Sequence, residues 1–252
     1  MENNMNPNID RFLQVMRDSM VGRDEEIKTV ALALVSGEHC CFIGDPGTGK
    51  SYLANNAIRA MNASYFQLLM TPFTTPEEVF GPFRLTALQQ DMYIRNLIDR
   101  ACESELIFLD ELYKASSAII NSLLTMMQER EFDNGGQRIK CPLRTLIAAS
   151  NELPEPGLLD ALHDRFVLRR WVKPVPMSMR RTLLLGNFPP VQSVCTVADF
   201  DQANIEAMGL PIKRDAMDAF EKVWQTLESN GVRIGDRRAG KALRICKAAA
   251  YL

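Results

Sequence analysis

The sequence predicts an α/β protein: a five-stranded parallel sheet sandwiched by helices, followed by a smaller all-helical unit. Three observations carry that prediction. Short apolar runs recur at 39–44, 65–70, 105–110, 145–150 and 165–171, each compact enough for a strand buried on both faces. Between them, at 49–61, 116–130 and 157–163, apolar residues return at helical spacing. Beyond about Lys173 the character changes, because "VKPVPMSMRR" carries two prolines and residues 176–252 then keep a helical period. Strands alternating with helices give a parallel sheet covered on both sides.

Residues 1–20 form an N-terminal tail and helix, with apolar positions over 8–20 and Asp10 as its possible cap. "VGRDEEIKTVALALVSG" opens at Val21-Gly22 and reads as a helix ending at Gly37. The α/β unit spans 21–173 and the helical unit 174–252, where Met217, Phe220, Val223, Trp224 and Leu227 make one apolar stripe. Two passages break the alternation. Residues 83–97 read as two short strands joined near Gln89–Asp91, and 131–144 as a hairpin turning on Asn134-Gly135-Gly136.

Composition narrows the function classes. In 252 residues, 46% are hydrophobic and 24% charged, with net charge −2, so no global pull toward nucleic acid or membrane is visible. Basic residues come in pairs, not runs. The six cysteines lack C-x-x-C spacing, and His39 and His163 are the only histidines, which argues against zinc. No apolar run approaches the ~18 residues of a membrane span, and the N-terminus lacks a signal pattern. A cytoplasmic protein with reduced thiols is expected.

Residues 44–51, "GDPGTGKS", carry the chemistry. They fit G-x-x-x-x-G-K-[ST] between a strand and a helix, the context in which backbone N–H groups converge on phosphate oxygens. Lys50 is expected on the β- and γ-phosphates and the Ser51 hydroxyl on Mg²⁺. "LIFLDE" ends a strand in two carboxylates, Asp110 for the metal and Glu111 to polarise the attacking water. After the next strand Asn151 offers an amide that can orient water, although an Asn there also suits a simple turn. Arg165 can reach a neighbouring subunit's γ-phosphate as a finger, with Arg169 and Arg170 as weaker candidates. Arg237 and Arg238 follow Asp236 at a helix start, where cations oppose the helix dipole and a bound nucleotide would favour them.

These residues, with "LMTPFTTPEEVFGP" (69–82), "LDELYKA" (109–115), "LLTMMQEREF" (123–132) and "AASNELPE" (148–155), resemble the AAA+ ATPase superfamily, and within it the MoxR family, nearest the RavA-like branch. The resemblance covers about 20–252. It implies a P-loop AAA+ domain with a helical lid, Walker A at Gly44, Asp45, Pro46, Gly47, Thr48, Gly49, Lys50 and Ser51 with Tyr52 adjoining, and Walker B ending in Asp110-Glu111. Sensor 1 falls on Asn151, the arginine finger on Arg165, and sensor 2 on Arg238 with Arg237 as the near alternative. Val21 and Gly22 fall where such proteins surround adenine. Residues 83–97 match an insert in the second helix. Lids of the family continue beyond the sensor 2 helix, whereas this sequence stops at Leu252, so a shortened lid is expected.

The resemblance implies Mg²⁺-dependent hydrolysis of ATP by a ring of six subunits that remodels a protein client, often one with a von Willebrand factor A domain. ATP is preferred to GTP because no N-K-x-D guanine signature occurs. Two other classes stay open: a nucleotide-gated binding module with little turnover, and a nucleic-acid motor, for which no helix-turn-helix, zinc motif or basic stripe speaks.

Overall fold

The computed structural model describes residues 5–154 and 158–252. The predicted tail residues 1–4 and the predicted helix start at 157 lie outside them. In chain order come α1 (Pro7–Ser19), α2 (Asp24–Ser36), β1 (Cys40–Ile43), α3 (Lys50–Arg59), β2 (Met61–Asn62), β3 (Tyr65–Leu69), α4 (Pro76–Phe80) and α5 (Leu85–Leu88). Then follow β4 (Leu106–Asp110), α6 (Ser117–Glu129), β5 (Glu131–Asn134), β6 (Gln137–Lys140), β7 (Thr145–Ser150), α7 (Leu158–His163) and β8 (Leu168–Trp171). The remainder is α8 (Met177–Leu185), β9 (Cys195–Thr196), α9 (Val197–Gly209), α10 (Arg214–Ser229) and α11 (Asp236–Tyr251).

Five parallel strands make the main sheet, in the order β3-β4-β7-β1-β8. They are the five predicted runs, although β8 begins at Leu168 rather than Arg165. The alternation of side chains explains why the three central runs, β1, β4 and β7, are buried almost throughout, whereas the edge strands β3 and β8 alternate with exposed residues. Cys40, Phe42, Leu106, Phe108, Ile147 and Ala149 point into one buried cluster, and Cys41, Ile43, Ile107, Leu109, Leu146 and Ala148 into the other. The adjacent thiols Cys40 and Cys41 thus lie on opposite faces of the sheet.

Asn6, not Asp10, caps α1: its side-chain oxygen accepts the Asn8 N–H at 2.9 Å, and Pro7 takes a first-turn position where no donor is needed. Asp10 lies within the first turn, where its charge suits the helix dipole. The hairpin of β5 and β6 turns on Gly135 and Gly136 with φ of 67° and 83°, the left-handed pair that a two-residue turn requires. Residues 83–97 do not form two strands. One antiparallel bridge, Phe83 to Arg95, closes a loop whose interior contains α5, because the Arg84 carbonyl accepts the Ala87 and Leu88 N–H groups. "LTAL" has the residues of a helical turn, and its alternation is too brief to hold a ladder.

After Trp171 the chain is helical except for β9, which pairs in parallel with β2. α9 and α11 pack against each other and on α2, so Phe200, Ala203, Ala248 and Tyr251 share the cluster that contains α1 and α3. Phe12 meets Phe200 edge to face at 5.4 Å, and the Tyr251 hydroxyl accepts the Asn6 N–H at 2.9 Å. The predicted stripe from Met217 to Leu227 lies on α10, where no residue is buried.

Candidate active site

The turn after β1 is built from backbone bonds. The Gly44 N–H donates to the Ser150 carbonyl at 3.2 Å, and the Val172 N–H to the Ile43 carbonyl at 2.7 Å. Those bonds bring the Val172 carbonyl so close that a Cβ on Gly44 would lie 2.3 Å from its oxygen. Gly44→Ala is therefore expected to destabilise the fold by about 1–3 kcal/mol or more, as overpacking does. Denaturant unfolding checks this, and a variant as stable as the parent would refute the close approach.

Lys50 opens α3 and is only 6% exposed. Its ammonium donates to the carbonyls of Gly44 (2.6 Å) and Asp45 (2.9 Å) and to Asn151 Oδ1 (2.8 Å). Burial pulls its pKa below the usual lysine value, and the carboxylates of Asp110, Glu111 and Asp45 pull it back. The Thr48 hydroxyl donates to the Asp45 carbonyl at 2.8 Å and braces the turn from within.

Strand β4 ends in Asp110, which accepts the Ser51 hydroxyl at 2.5 Å on Oδ2 and the Glu111 N–H at 3.0 Å on Oδ1. Hydroxyl and carboxylate converge beside the first turn of α3. These hard oxygen donors suit Mg²⁺, which takes few protein ligands and completes its shell with water and phosphate. Glu111 adopts φ 52°, unusual for a residue with a side chain and often found at functional sites. Its Oε1 accepts the Asn151 amide, so Asn151 bridges Lys50 and Glu111. Its Oε2 lies 3.4 Å from Lys114 Nζ and makes no hydrogen bond. Among the described residues, the buried side-chain polar atoms without a hydrogen bond are this Oε2 and the Nε of Arg165. Such orphans carry a cost that a catalytic task can explain.

A cleft of about 540 Å³ adjoins the turn. One wall is the run from Asp45 to Gly49 with Tyr52; the other includes Val21, Val175, Leu183 and Phe188. Val21 lines this cleft. Gly22 does not line it and packs beneath Met179, whose Sδ would lie 3.0 Å from a Cβ there. Sequence reading missed the wall from α8 and the residues around it, and also Arg23, since nothing local in a run of prolines and leucines marks it as facing a ligand.

Arg165 lies elsewhere. β1 and β8 run in parallel with Cys40 opposite Leu168, so Arg165, before β8, sits at the strand starts, whereas Gly44 follows the strand end. At roughly 3.3 Å per residue the two are well over 10 Å apart along the sheet. Arg165 donates to the Ala161 carbonyl at 2.7 Å and to Gln128 Oε1 at 3.3 Å. Burial, then repulsion from Arg237, lowers its pKa below the usual arginine value. Arg238 pairs with Asp164, and Arg165, Arg233, Arg237, Arg238 and Lys241 surround a cleft of about 250 Å³. The structure thus groups Arg238 with Arg165 and not with Lys50.

A glycine-rich turn between β1 and α3, acidic residues at the end of β4, an Asn after β7 and this strand order define the P-loop fold of the AAA+ class. Residues 7–207 match the MoxR domain of the MoxR-vWA-beta-propeller ternary systems, and the chain belongs to that family. It is 35% identical over 248 residues to the uncharacterized protein MJ0812 of Methanocaldococcus jannaschii, covering 97% of this chain and 66% of that protein. The same organism's uncharacterized protein MJ0079 is 31% identical, covering 97% and 65%. The chain therefore spans about two thirds of the length of these relatives. A crystal structure of a candidate ATPase from Cytophaga hutchinsonii superposes with a TM-score of 0.77 at 19% identity, covering 98% of this chain and 80% of that one, a likeness of fold. Among the described residues no helix is long and apolar enough to cross a membrane.

Proposed function

We propose that this chain hydrolyses ATP with Mg²⁺ and works as a ring, its active sites complete only where neighbouring subunits meet. The observation that carries the reading is the continuous chain of contacts from Lys50 through Asn151 to Glu111, beside the Ser51–Asp110 pair. Lys50 holds the terminal phosphates, and Ser51 and Asp110 hold the metal. Bound Mg²⁺ supplies charge neutralisation at the phosphate oxygens. Glu111 accepts a proton from the attacking water through Oε2, which makes no hydrogen bond, while Asn151 fixes the carboxylate's orientation.

Arg165 cannot serve its own chain's phosphates from the strand starts. Its role, and that of Arg237 or Arg238 beside it, is to meet a nucleotide bound by the next subunit. Such a head-to-tail interface closes into a ring, for which six subunits is the family expectation. The family's description names a von Willebrand factor A component, which supports a client of that kind. The six free thiols suit a cytoplasmic setting, and the RavA-like affinity rests on the sequence motifs quoted above.

The test is phosphate release from ATP by the purified protein. Turnover is expected with Mg²⁺, to vanish on chelation by EDTA and to return when Mg²⁺ is added back. A protein that binds no ATP by equilibrium titration, with Mg²⁺ present, would overturn the proposal.

A further inference from the structure

Arg23 is a buried cation that the chemistry above does not use. It is 6% exposed, and its guanidinium reaches in three directions. Nη2 donates to the Thr48 carbonyl at 2.6 Å, within the phosphate-loop turn. Nη1 donates to the Lys173 carbonyl at 2.9 Å, where the chain leaves β8 for α8, and lies 3.7 Å from the equally buried Glu26. Its rigid fork can hold two carbonyls at once, which an ammonium on a flexible stem does less well.

Both bonds have consequences for the cleft. A trans peptide points its C=O and N–H in opposite directions, so fixing the Thr48 oxygen toward Arg23 aims the Gly49 N–H away from it. Thr48 and Gly49 both line the cleft, and that N–H is one of the donors an anion there would meet. Lys173 stands directly before Pro174 and Val175, the start of the opposite wall, which continues through Leu183 and Phe188. One guanidinium thus ties the phosphate side of the cleft to its apolar side. Because its two acceptors are backbone groups, neighbouring side chains can change without breaking the tie.

We propose that Arg23 is a positioning residue that sets the distance between the phosphate cradle and the base-binding wall, so that it governs affinity for a whole nucleotide more than for its phosphates. The proposal rests on the reading that the cleft takes a nucleoside triphosphate.

Arg23→Lys keeps the charge and loses the fork. Equilibrium titration is done with Mg²⁺ and two probes, ATP and inorganic tripolyphosphate, which has no base. Expected is a rise in the ATP Kd of about tenfold, the scale of one charge-assisted hydrogen bond, with a smaller rise for tripolyphosphate. In turnover, KM should rise by far more than kcat falls, a split that general loosening of the fold would not give. An unchanged ATP Kd, or equal losses for the two probes, overturns the proposal. If the melting curve without nucleotide finds Arg23→Lys unfolded, Glu26→Gln replaces it: the fork stays, only its counter-charge goes, and the same ordering of losses is expected at smaller size. Parent protein that binds neither probe would instead strike down the nucleotide reading itself.

Discussion

Glu111→Gln is expected to cut ATP turnover by about 10²–10⁴-fold while leaving nucleotide binding intact, the range that a positioned general base contributes. The substitution keeps the shape of the side chain, and the amide oxygen of Gln can still accept from Asn151. It removes the oxygen that has no hydrogen bond and could take a proton. Lys50 stays on the Gly44 and Asp45 carbonyls and Ser51 on Asp110 without Glu111's side chain, so the cradle survives. Phosphate release and ATP titration on the same preparation check this. Normal turnover would remove Glu111 from the chemistry. Loss of binding in step with turnover would make it a structural prop of the cradle.

Much of that site was legible because its signals are local. A phosphate loop is a turn, and its glycines, lysine and serine follow one another within eight positions. The central strands declared themselves through unbroken apolar runs such as "LIFLD", whose residues divide between the two buried clusters. The Asn-Gly-Gly hairpin was read from its turn chemistry between alternating flanks. What escaped was either weak or distant. At residues 83–97 a few alternating positions competed with helix-forming ones, and the helical turn won. The Asn6 cap carries a usable signal, Pro7 after it, but Asp10 is also a residue type that caps helices and competes with it locally. The pairing of Arg238 with Asp164 spans 74 positions, and the β2–β9 pairing joins Met61 to Cys195. No single-sequence pattern encodes such partners. Arg23 shows the same limit: nothing beside it in the sequence singles it out, and only the fold buries it between two carbonyls.

Arg165→Ala is expected to lower turnover by about 10³–10⁵-fold, the worth of an arginine finger, without weakening ATP binding. Binding should persist because Arg165 lies at the opposite end of the β1–β8 pair from the phosphate loop. The side chain donates only to the Ala161 carbonyl and Gln128, so its removal breaks no contact with the cradle. Mixing makes the decisive comparison. An Arg165→Ala subunit keeps Glu111, and a Glu111→Gln subunit keeps its finger. If the finger acts on the neighbour, a one-to-one mixture rebuilds complete sites at about one interface in four, and two inactive proteins together become active. If the finger acted within its own chain, no mixture could recover activity, since every subunit would lack one half of the machinery. Recovery that grows with protein concentration would further tie it to assembly, whereas a mixture as inactive as its components would sink the ring mechanism while leaving the nucleotide site untouched.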